Sequence, residues 1–276
     1  MVRIQWDNHC GEQSIQSVAL ENGIYISQQC SRNYIPDEGC LIQDSIDTEL
    51  GIHSILNKLD IAYTQFINHK KNYESKRFLK WINRNKGKTV IAGLFMKYGG
   101  RHDEYDHVVI IKGFKGNRLV IHDFFNEEPQ ISQPVEEINL SAGQISKSRC
   151  KCSHYPQCEI DSTCGLKHAY YIPRDYCYGL VIHPKKIKLN LSLDMNAEPK
   201  YIEGERPILY KSILNIEGLQ DSKSYTILKS IRFSLREKRK WIAFRTICST
   251  GTGYLIKNIY IKSDSITEFK IINSLC

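Results

Sequence analysis

HVVIIKGFKGNRLVIHD, residues 107–123, holds two β-rich runs, 107–112 and 118–123, on either side of a glycine-bearing connection, Gly113 to Asn117. Valine and isoleucine suit a pleated, half-buried surface, and the glycines suit the turn, so the stretch predicts an antiparallel hairpin. With Phe114, Lys115 and Gly116 as a three-residue loop, Gly113 faces Asn117 and Lys112 faces Arg118. Carried outward, that register sets His107 directly across the ladder from Asp123, and directly opposed residues share one face of a sheet. An imidazole and a carboxylate placed so can form the hydrogen bond that fixes a histidine's tautomer and orientation.

Working outward from the hairpin, Thr89 to Phe95 is a short apolar run of the length of a buried strand. Upstream, helical spacing predicts helices near 11–20 (Ile15, Val18, Ala19, with Gly23 as a stop), 45–59 (Ile46, Leu50, Leu56, Leu59) and 75–85 (Phe78, Leu79, Ile82). Residues 126–148 read as polar loop, 149–177 hold a cysteine-rich insertion, and Tyr178 to Ile182 is a further strand. Helices first and strands later predict an α+β domain, 1–184. After His183-Pro184 the helical periodicity ends. Six runs, near 187–193, 208–216, 225–233, 241–248, 254–262 and 267–272, read as strands separated by turn signals, so 185–276 is expected to form a small β-sandwich.

Composition narrows the function. In 276 residues, 41% hydrophobic content is enough to build a real core. No run approaches the eighteen or so apolar residues of a membrane helix, and the N-terminus lacks a secretory pattern. The charge of +8 comes from scattered basic residues, not from the concentrated, aromatic-interleaved stripe of a nucleic-acid reader, so no nucleic-acid partner is expected. Ten cysteines, five of them at 150, 152, 158, 164 and 177, favour disulfides and a secreted or lumenal compartment. Structural zinc is the competing account, since Cys150, Cys152, Cys158 and Cys164 with His154 or His168 supply enough ligands; the spacing C-x-C-x5-C-x5-C fits no common zinc template well, so disulfides are preferred and no metal ligand is assigned. The sequons at Asn139 and Asn190 matter only if the chain is secreted.

A nucleophile can be placed independently of the hairpin. Cys10 stands where the first helix begins, and helix N-termini lower thiol pKa values. Gly11 leaves room for a substrate backbone to approach. His107 and Asp123 supply a base and its orienting group, whereas His102 falls in a polar loop, His122 on the other strand face and His9 beside the thiol itself. An oxyanion hole would use the Cys10 amide and a side-chain amide, Gln5 first and Asn8 second. No cofactor is needed for such chemistry.

These residues resemble those of the bacteriocin-processing branch of papain-fold cysteine peptidases, peptidase family thirty-nine. Gln5-Trp6-Asp7-Asn8-His9-Cys10-Gly11 resembles the family's glutamine, spacer and Cys-Gly at a helix start, and Ile26-Ser27-Gln28 resembles the phrase that often follows. His107 to Phe114 resembles its histidine strand and Val120 to Asp123 its aspartate strand. Two positions depart from the pattern: Glu12 stands where the family commonly has proline, and Gln5 lies five residues before the cysteine where six is usual. The resemblance implies a papain-like fold, thiol acyl transfer and a peptide or protein substrate. Hydrolysis of a peptide bond is the leading expectation. The same triad could serve an acyltransferase, and the scaffold could also persist as a binding protein without catalysis.

Overall fold

The computed structural model describes residues 9–34, 51–67, 74–97, 104–115, 118–122, 130–134, 144–149, 167–171, 177–194 and 209–273. Strands dominate, in several antiparallel sheets, with a few helices among them. The chain divides into two compact units, residues 1–62 with 183–276 and residues 63–182.

The first unit opens with α1 (Cys10–Leu20), which begins at Cys10 as expected. Its apolar stripe of Ile15, Val18 and Ala19 is buried, and so is its polar side, since Glu12, Gln13, Ser14 and Gln16 are all fully covered. Gly23, at φ +72°, turns the chain out of the helix, and a Cβ there would lie 2.6 Å from the Leu189 Cβ. Glycine is therefore required twice over, for its backbone angle and for its lack of a side chain. β1 (Ile24–Ile26) follows, then α2 (Gln28–Arg32), whose N-cap Ser27 accepts a hydrogen bond from the Cys30 amide at 3.0 Å. α3 (Ile52–Lys58) buries Ile52, Ile55 and Leu56 and is the described part of the expected helix 45–59.

The second unit begins with β2 (Tyr63–Gln65) and α4 (Glu74–Arg84). β3 (Val90–Lys97), β4 (Glu104–Lys115) and β5 (Arg118–His122) form the centre of its sheet. β6 (Gln130–Pro134) extends that sheet beyond β5, β7 (Gln144–Arg149) pairs with β8 (Lys167–Tyr171), and β9 (Gly179–Ile182) lies between β2 and β3. Strands at 130–134 and 144–149 correct the expectation of loop across 126–148. Their composition is polar, but each finds a hydrogen-bonding neighbour, and ladder pairing overrides composition. Phe78, Leu79 and Ile82 of α4 pack on Val90, Ala92, Val109, Ile111 and Val181, so the helix covers one face of the sheet. It comes close because Gly179 has no side chain: a Cβ there would lie 2.5 Å from the Phe78 ring.

The hairpin of β4 and β5 is present, but in a different register. Lys115, not Lys112, pairs with Arg118, and Ile110 pairs with His122 where the expected register required Val120. At the turn end the Lys115–Arg118 pair is already three residues out from the expected register, and Gly113 takes one of those three back. Instead of forming the turn it sits at φ +105° in a bulge between Ile111 and Phe114, where two residues of β4 oppose one of β5. The net displacement at Ile110 is two residues, so the direct His107–Asp123 opposition is corrected. An even displacement preserves which face each residue belongs to.

The chain then returns to the first unit with β10 (Lys188–Asp194), β11 (Leu209–Glu217), β12 (Ser224–Arg232), β13 (Ile242–Cys248), β14 (Gly253–Lys262) and β15 (Ile266–Asn273). These are the six expected strands. One sheet runs β10-β11-β14 and the other β1-β15-β12-β13, and a single core that includes Leu191, Leu214, Ile227, Ile259 and Phe269 lies between them. β1 is hydrogen-bonded to β15, and Leu20 and Tyr25 belong to this core. The described N-terminal elements α1, β1, α2 and α3 therefore fall in one compact unit with the C-terminal strands, where the expected division was 1–184 and 185–276. One buried charge cluster braces the sheet: Glu268 accepts from Arg232 Nε at 3.1 Å and from Arg239 Nε at 2.9 Å, and Arg232 is almost wholly buried. Among the described residues no helix is long and apolar enough to cross a membrane.

Candidate active site

Cys10 is the first residue of α1 and only 4% exposed. Its helix has no side-chain N-cap: His9 occupies the cap position without such a bond, and the first intrahelical bond runs from the Gln13 amide to the His9 carbonyl at 2.9 Å. The earlier amides of the first turn thus face outward along the helix axis beside the thiol, where the positive end of the macrodipole favours an anion.

Glu12, two residues along, is the strongest perturbed group near that thiol. It is fully buried, and burial pushes its carboxyl up to about 7, against the attraction of Arg32, which lowers it. Arg32 Nε stands 2.6 Å from Glu12 Oε1. That contact is an ion pair in distance without the angles of a hydrogen bond, and the Glu12 backbone amide gives the carboxyl only weak further support in the same, lowering direction. Desolvation therefore dominates, and the neutral acid is the form the site prefers below neutrality. Glu12 was visible in the sequence as a departure from proline. Arg32 was not, since nothing in a one-dimensional spacing of twenty residues places α2 against α1.

The phrase Ile26-Ser27-Gln28 has a physical role here. Gln16 Nε2 donates to the Ile26 carbonyl at 2.9 Å, and Gln28 Nε2 donates to Gln13 Oε1 at 2.7 Å, both buried. These bonds tie β1 and α2 to the polar side of α1 and hold the helix that carries Cys10.

His107 lies in β4, where its backbone pairs with Leu94 of β3. It belongs to the second unit and Cys10 to the first. Asp123, Gln5 and Asn8 lie outside the described residues, as does the cysteine cluster 150–164. His122 is opposite Ile110; burial, and secondarily Lys112, hold its imidazole below the usual range. Cys248, exposed on β13, is a free thiol, and the Cys30 thiol donates to the Asp264 carbonyl at 3.6 Å. The disulfides expected from cysteine content are not found at these positions.

Comparison with models of known families, with curated proteins and with solved structures finds no match for this chain.

Proposed function

We propose that this protein is a papain-like thiol hydrolase in which Cys10 attacks a peptide carbonyl, His107 takes and returns the proton, and Asp123 orients His107. The observation that supports it is Cys10 at the first position of an 11-residue, buried helix with no side-chain cap. In such a reaction the Cys10 thiolate adds to the carbonyl carbon, the amine leaves with a proton from the imidazolium, and water then hydrolyses the thioester. The Cys10 amide, at the helix start, is a donor for the oxyanion, with Gln5 or Asn8 as the second. Glu12 is compatible with the thiolate while it is neutral, and it opposes the thiolate once ionised.

The test compares two thiols. A small alkylating electrophile at limiting concentration, read by peptide mass mapping, is expected to modify Cys10 faster than the exposed Cys248; access alone would favour Cys248, so the reversed order reports thiolate character at Cys10. His107→Ala is expected to abolish that preference. Preferential modification of Cys248 in the wild-type chain, or an unchanged Cys10 rate in His107→Ala, refutes the assignment.

A further inference from the structure

β15 is longer than the strand beside it. β1 pairs only with Ile266, Thr267 and Glu268, while β15 continues to Asn273 along its other neighbour, β12. The Phe269 amide still reaches the Gly23 carbonyl, at 3.0 Å. In an antiparallel ladder, amides of alternate residues turn to the same side. Ile271 therefore turns its N–H and C=O toward the β1 side, and among the described residues no strand accompanies it there. Among those residues the sheet has an open edge at this point, beyond the end of β1.

A groove of about 640 Å³ lies along that edge. Leu189, Phe269 and Ile271 contribute apolar surface to it, and Trp241 adds a half-buried ring. Its charges do not cancel. The Glu268 carboxylate is already held by Arg232 and Arg239, and Asp60, nearly fully exposed, stands 3.8 Å from Lys185. Lys186 and Lys270 also line the groove, are exposed, and have no ion-pair partner among the described residues.

We propose that the open edge of β15 and the lysines beside it form a docking groove for an extended peptide segment that alternates acidic with apolar side chains. Each feature answers one part of such a ligand. The Ile271 edge bonds a peptide backbone in the manner of an added strand. In an extended chain successive side chains point to opposite faces, so apolar residues reach the Leu189–Ile271 surface while carboxylates reach Lys186 and Lys270. A nucleic acid or a sulfated polysaccharide would satisfy the lysines but has no extended peptide backbone to pair with the edge and no alternating apolar side chains for the floor. The groove lies wholly within the first unit and does not depend on the chemistry assigned to Cys10.

The experiment uses the full-length chain with Cys10→Ser, so that no probe is cleaved, and a fluorescein-labelled octapeptide alternating Glu and Val, read by anisotropy. Saturable binding is expected, at least about tenfold tighter than that of the alternating Lys and Val peptide. A version N-methylated on alternate backbone amides is expected to lose binding to a similar extent. Lys186→Gln with Lys270→Gln, both exposed positions at which the fold should be indifferent, is expected to weaken binding by about tenfold, and the melting temperature verifies that the double variant is folded. Three results would overturn the proposal: no saturation, equal binding of the N-methylated peptide, or equal binding of a single-stranded oligonucleotide of matched charge. In the first case the lysines simply guard a sheet edge against pairing.

Discussion

Glu12→Gln should change the pH dependence of stability in a direction opposite to that of an ordinary paired carboxylate. The Glu12 carboxyl is raised from 4.5 to about 7 in the folded protein, with burial as the larger cause and Arg32 opposing it. Between those two values the unfolded chain has lost this proton while the folded chain retains it. The folded state then binds one more proton, so stability falls as pH rises, by about 1.4 kcal/mol per unit. Over the whole window the loss amounts to about 3 kcal/mol, complete above pH 7. Glutamine imitates the neutral acid in shape and cannot ionise. Urea titrations of the two chains from pH 4 to 8.5, followed by Trp241 with Trp6 and Trp81 replaced by Phe in both, report on the unit that contains Glu12. The difference, wild type minus variant, isolates this group from every other titration. It should be flat at the acid end, decline through the window and level off in alkali. A difference that rises with pH would mean that the ion pair with Arg32 outweighs desolvation, and the reading of Glu12 as a neutral neighbour of the thiol would be wrong.

Two further substitutions probe the frame that holds α1. Glu268→Gln should cost about 3–5 kcal/mol in chemical denaturation, because Arg232, almost wholly buried, loses the charge that compensates it; replacing Glu268 and Arg232 together by methionine should recover most of that loss, and a small single-variant effect would show the cluster to be solvated. Gly23→Ala should cost about 2–5 kcal/mol, combining the left-handed backbone penalty with overpacking against Leu189, and a melting temperature within two degrees or so of wild type would contradict both terms.

The C-terminal strands were legible because each carries its own evidence. Leu189, Leu191 and Leu193 alternate with exposed residues, and their side chains are buried in turn. What could not be read was long-range. β1 is three residues, all buried, with no alternation, and its partner lies some 240 positions away in β15. Without that pairing the N-terminal helices look like part of a domain that continues to residue 184. The hairpin shows a subtler limit. Two glycines near a turn can both belong to the turn, or one can absorb a bulge, and only the ladder tells them apart; here Gly113 took the bulge and the register moved by two. In the candidate site, the start of α1 at Cys10 followed from local signals, whereas the burial of its polar side and the approach of Arg32 depend on packing that spacing does not encode.

That polar side is itself informative. A helix enclosed on nearly all sides is most simply stabilised by apolar residues, yet α1 buries Glu12, Gln13, Ser14 and Gln16. Gln13 Oε1 is satisfied by Gln28, but Gln13 Nε2 and Ser14 Oγ have no hydrogen-bond partner among the described residues. Each such group costs about 1–3 kcal/mol relative to a satisfied or apolar one, and the raised carboxyl of Glu12 adds a cost of similar size above neutrality. Local rules broken together on one element, with no compensating stability, are the pattern expected where a site rather than a core has shaped the residues. The Cys10 thiol at the start of this same helix is the strongest nucleophile of the group once ionised. The unfavourable burial of its neighbours is therefore a reason, independent of the hairpin and of any family resemblance, to look for function at Cys10.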